Sequence, residues 1–176
     1  HAQNYVQAYD LYLQNRKCRF EVVRQQFAMI EAYLYFLSHQ GYLPLQRTFR
    51  LGKYLNDTFK AQQDKQGSNI SILIAELLVL LVRNRGAFID RVEAINHYTY
   101  RHLKTPDTRR AKRFLKILCL LPRAHFNATA LQRIAQKQIQ YLHNHPLWMG
   151  ESITTETIPY THLLSLIFSH LQRQVA

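Results

Sequence analysis

The stretch Ile70-Ser71-Ile72-Leu73-Ile74-Ala75-Glu76-Leu77-Leu78-Val79-Leu80-Leu81-Val82 decides how the rest of the chain is read. It is apolar nearly all round at helical spacing, and a helix of that kind is central to its fold. Gly67, Ser68 and Asn69 precede it, so Ser68 or Asn69 is the expected cap of a helix over residues 70–84. Gly86 is its expected stop. The run falls far short of the roughly 20 residues needed to span a bilayer, so no membrane span is expected. Glu76 stands alone within it. A buried carboxylate is costly without a partner, so an arginine or a tyrosine hydroxyl is expected beside it. A catalytic acid with a raised pKa is the competing reading.

Helical periodicity continues in both directions. Downstream, Phe88, Val92, Ile95 and Tyr98 or Thr99 mark an inward face over residues 87–103. Thr105-Pro106-Asp107 is a helix-start signature for a segment reaching about Leu121, just before Pro122. Asn127 can cap a helix over residues 128–143. An irregular stretch over 144–155 follows, and Pro159 stands near the start of a last helix ending around Arg173. Upstream, residues 49–63 carry Leu51, Tyr54, Leu55 and Phe59 on one face. Residues 20–39 carry Val23, Phe27, Ile30, Leu34 and Leu37. There Gly41 offers a left-handed cap and Pro44 blocks continuation. A first segment spans residues 2–14, with a polar break at 15–19. The expected fold is all-α, a single domain over residues 1–176 with about eight antiparallel helices. Its expected core includes Phe27, Ile30, Leu34, Leu55, Leu73, Leu77, Leu80, Ile95, Leu115, Leu118, Leu131, Leu142, Leu163 and Ile167.

Composition agrees. An apolar fraction of 47% against 19% charged residues is globular, and 5 Gly with 5 Pro leave little material for the turns of a β fold. Helix pairs begin near Phe49, Ala87 and Asn127, about 38 to 40 residues apart. In this the chain resembles α-solenoid proteins of the tetratricopeptide and HEAT type over Phe49 to Gln172. The resemblance implies stacked helical hairpins and a scaffold role. The tetratricopeptide residue pattern fits no single repeat, and Trp148, the only tryptophan, lies in the irregular stretch. An irregular helical bundle stays open as the alternative.

The chain holds 23 Lys+Arg against 11 Asp+Glu, a net charge of +12, which favours an anionic partner. Arg101, Lys104, Arg109, Arg110, Lys112, Arg113, Lys116 and Arg123 form one cluster in which Asp107 is the only acid. Arg109, Lys112, Arg113 and Lys116 follow i, i+3, i+4, i+7 spacing and share a helix face, so all four are expected to be exposed. A merely solvated face is the plainer reading of the same residues. Tyr33, Tyr35 and Phe36, and then Tyr98 and Tyr100, are expected to pack between helices or to line a groove.

No catalytic constellation, phosphate-cradling loop or nucleophile elbow is present. His97 with His102 and His143 with His145 lack metal-ligand spacing, so no metal and no cofactor is expected. Cys18, between Lys17 and Arg19, and Cys119, in an apolar run, make no disulfide framework. No signal peptide is visible, which gives a cytoplasmic expectation. The chain begins at His1 rather than methionine, as expected of a piece of a longer protein. The expected function is a non-enzymatic scaffold binding an acidic protein or peptide through the basic, aromatic-containing surface. The alternative is nucleic-acid binding through the cluster from Arg101 to Arg123.

Overall fold

Helix is the only regular structure among the described residues, so the fold is all-α. The computed structural model describes residues 6–8, 10, 11, 14, 21–43, 49–54, 68–103, 108–146 and 156–174. Seven helices have defined bounds: α1 (Glu21–His39), α2 (Ser68–Arg83), α3 (Arg85–His102), α4 (Arg109–Leu120), α5 (Ala128–Ile134), α6 (Gln136–Asn144) and α7 (Tyr160–Arg173). No helix of the described chain is long and apolar enough to cross a membrane. The chain divides into two compact units, residues 1–85 and 86–176.

In the first unit α2 packs on α1. As its all-round apolarity implies, α2 is enclosed on nearly every side: Ile70, Ser71 and every residue from Leu73 to Leu81 are buried. Ala32, Tyr33, Leu34, Phe36 and Leu37 supply the buried face of α1. The helix begins at Ser68, so Ser68 and Asn69 lie inside it rather than ahead of it. Its stop is Asn84, and Gly86 falls within α3, two residues beyond the break rather than at it.

The end of α1 follows its sequence. Gly41 takes φ +78, Tyr42 N–H donates to Leu37 O at 3.3 Å, and Gly41 N–H donates to Ser38 O at 3.1 Å. That is a Schellman closure, in which glycine accepts the left-handed position without a Cβ clash. Beyond it Tyr35, Phe49 and Tyr54 form a chain of ring contacts, with centroids 5.3 and 5.5 Å apart. Arg83 donates to Phe49 O at 3.0 Å and Tyr54 donates to Ile72 O at 3.2 Å, tying residues 49–54 to α2.

In the second unit α4, α6 and α7 form the core with α5 wedged among them. Phe114, Leu115, Ile117 and Leu118 of α4 are fully buried, as are Leu131, Leu142, Leu163 and Ile167. Of the expected core residues, Phe27 and Ile30 are only half-buried, Leu55 lies outside the described residues, and the others are buried. Thr105, Pro106 and Asp107 also lie outside; α4 starts at Arg109, with Thr108 at its N-cap. Asn127 caps α5 as its sequence implies, its side chain accepting from Ala130 N at 2.9 Å. The single helix expected over 128–143 is divided at Ala135, whose φ −101 and ψ 7 end α5 before α6 begins. No glycine or proline marks that break.

A second Schellman closure follows α4 and has no glycine. Phe126 N–H donates to Leu121 O and His125 N–H donates to Pro122 O, both at 3.0 Å. His125 and Phe126 sit at φ 50 and 53, in the left-handed region that L side chains avoid. Phe126 is held there by burial and by an edge contact with Phe88, centroids 5.7 Å apart. His125 is exposed, and its side chain bonds to none of the described residues. His125→Gly should therefore raise stability by about 1 kcal/mol in urea unfolding, the relieved strain exceeding glycine's extra chain entropy. A destabilised variant would show that contacts of the His125 side chain outweigh the backbone strain.

Candidate functional site

The basic cluster of the sequence separates into an outer and an inner group. Arg109, Lys112 and Lys116 are exposed on α4, and Arg123 is exposed in the turn after it. Arg101 is exposed near the end of α3. Lys104 lies outside the described residues. Lys112 donates to Leu103 O at 3.3 Å, adding a cation at the C-terminal end of α3, where the helix dipole favours it. No described acid pairs with Arg109, Lys112, Lys116 or Arg123.

Arg110 belongs to the inner group. The 3.6-residue period turns it away from Arg109, toward α6 and α7. Its Nε donates to Glu156 Oε1 at 2.6 Å and its Nη2 to Glu156 Oε2 at 3.2 Å, a two-pronged pair. Its Nη1 donates to Leu142 O at 3.1 Å and also to His145 O, so Arg110 caps the carbonyl end of α6. The Glu156 side chain is 1% exposed and that of Arg110 12%. Glu156 Oε2 also accepts from Tyr160 N–H at 3.0 Å, at the start of α7. Tyr160 stacks on Phe114 with centroids 4.6 Å apart. One carboxylate thus joins the start of α4, the end of α6 and the start of α7. All three guanidinium nitrogens of Arg110 are engaged in this network.

Arg113 is intermediate. It is half-buried rather than exposed, because its guanidinium lies over the Tyr141 ring of α6, 5.0 Å from the centroid. The contacts of Arg110 with Leu142 and His145, and of Arg113 with Tyr141, set α6 antiparallel to α4. His145 stacks on the same ring at 4.1 Å, and its Nδ1 donates to Tyr141 O at 3.0 Å. This Arg113-Tyr141-His145 stack was not legible from the sequence, although Tyr141 and His145 one helical turn apart are a recognisable pair.

The absence of acid around this face is broader than the cluster suggested. From Ala94 to Ala176 only Asp107, Glu151 and Glu156 are acidic. Of these only Glu156 is described, and it is buried against Arg110. The exposed cations of α4 form no ion pair with a described carboxylate.

Glu76 is buried, as expected, and its charge reaches Tyr54. Burial first, then the charges of Tyr33 and Glu76, push the Tyr54 hydroxyl far above its ordinary pKa, so it stays protonated and serves as a donor. Among the described residues no group of three or more His, Cys, Asp or Glu could hold a metal ion. Cys119 is a buried free thiol whose pKa burial pushes up to about 12, so it is unreactive. Cys18 and Trp148 lie outside the described residues. Tyr33 and Phe36 are core residues, whereas Tyr100 is 79% exposed. No protein-family model, curated protein or solved structure matches this chain.

Proposed function

We propose that the chain is a non-enzymatic helical interaction module that binds an acidic protein or peptide along α4. The observation that carries this reading is the exposed row Arg109, Lys112 and Lys116, continued by Arg123, with no described acid opposite. Like charges at this spacing repel by a few tenths of a kcal/mol per pair, roughly, and an anionic partner reverses the sign. The stacked hairpins of a solenoid belong to the same proposal and rest on the spacing of about 38 to 40 residues between pair starts. So does a cytoplasmic setting, which suits the free thiol of Cys119.

The test uses a variant with Arg109, Lys112 and Lys116 all replaced by Gln. Its unfolding free energy should stay within about 0.5 kcal/mol of the parent, since exposed substitutions rarely do more. Binding of a labelled oligoglutamate peptide should weaken, and the difference should shrink as salt screens the charges. Equal binding by parent and variant would remove the α4 face as the site. If unrelated oligonucleotides bind with a steep salt slope while the peptide does not bind at about 50 mM salt, the module reads phosphate instead.

A further inference from the structure

Two arginines one turn apart on α4 are used in opposite ways, and we infer that the open one, Arg113, is the fork that grips a carboxylate of the acidic partner. This rests on the α4 reading and names the atoms that give it specificity. Every branch of the Arg110 guanidinium is taken, by both oxygens of Glu156 and by the carbonyls of Leu142 and His145. Arg113 donates to none of the described residues. It is nevertheless not a loose surface chain, because it lies on the Tyr141 ring. A guanidinium laid on an aromatic face is held by cation–π attraction while its planar N–H edge stays open to a planar anion.

The platform is itself fixed. Tyr141 is half-buried, and His145 stacks on it and bonds to its carbonyl. Much of the rotamer entropy that binding ordinarily removes from an arginine is thus already gone before the partner arrives. Arg109 and Lys116 flank Arg113 at i−4 and i+3, so a peptide lying along α4 meets the fork at the middle of a charged row. A carboxylate needs only the fork, in the two-pronged geometry that Arg110 already makes with Glu156. A single-stranded nucleic acid needs an open ring for its bases, and the Tyr141 ring already carries Arg113 and His145.

The experiment is fluorescence anisotropy of a labelled oligoglutamate peptide with the full chain at low salt. Arg113→Lys keeps the charge and removes the fork, and should weaken binding about tenfold, or about 1.4 kcal/mol. Arg133→Lys, an exposed arginine on α5 outside the charged row, should leave the affinity unchanged. Tyr141→Leu removes the platform beneath an intact arginine and should weaken binding by a similar factor, with circular dichroism confirming that the helices persist. If Arg113→Lys binds as tightly as the parent while Arg109→Gln still weakens binding, charge alone holds the peptide. The fork then falls and the α4 reading survives. If the parent does not bind the peptide at all, the α4 reading falls with it. A parent that prefers labelled oligothymidylate to oligoglutamate overturns the carboxylate assignment.

Discussion

Glu156→Leu, made with Arg110 left in place, should lower the unfolding free energy by about 3–5 kcal/mol in urea or guanidinium titrations. The substitution strands a guanidinium among α4, α6 and α7 and removes the acceptor of Tyr160 N–H. Arg110→Met alone should do comparable damage, because it leaves the Glu156 carboxylate buried without its cation. The double variant Arg110→Met with Glu156→Leu should recover much of the loss, since well-packed apolar groups can replace a buried pair at little or no net cost. The two single effects should therefore be strongly non-additive. If each single variant changed stability by less than about 1 kcal/mol, the pair would behave like a surface ion pair, and its place at the junction of three helices would need revision.

The second large effect lies in the apolar interior of each unit. Leu77 on α2 and Leu118 on α4 are both 0% exposed. Truncation of either to Ala should cost about 2–5 kcal/mol, the sum of lost transfer energy and an incompletely collapsed cavity. Ile30 on α1 is half-buried and is the internal comparison: Ile30→Ala should cost less than either. Thermal or chemical unfolding of the three variants checks the order. An equal loss at all three positions would contradict the burial pattern of α1 and α2.

Particular residues show where sequence reading succeeds and where it stops. The run through Leu73 and Leu81 announces its own enclosure, because a helix with no polar face can be satisfied only by burial on all sides. Gly41 and Asn127 announce a helix end and a helix start because each solves a local problem of the backbone with its own atoms. The division at Ala135 and the left-handed pair at His125 and Phe126 have no such local marker. The left-handed pair is imposed by packing, as the seating of Phe126 against Phe88 shows. The basic cluster was legible as a cluster but not in its parts. Helical phase alone distinguishes Arg110 from Arg109, but the acid that claims Arg110 is 46 residues away in the chain. The same limit applies to Arg113, whose fate depends on Tyr141 arriving from another helix.

The way Glu156 is consumed has a consequence for how this molecule responds to its medium. Electrolyte reaches the outer charges of α4 and mutes them over roughly 8–10 Å at ordinary ionic strength, but it barely touches a pair shut away from water. Raising the salt therefore mutes the outer charges of α4 while leaving the fastening of α4, α6 and α7 intact. Evolution meets the same separation. Outer cations can be added, lost or swapped without loosening the frame, whereas Arg110 and Glu156 can change only together. The protein thus has a tunable exterior on a chassis indifferent to that tuning, and the boundary between them runs through adjacent residues, Arg109 and Arg110.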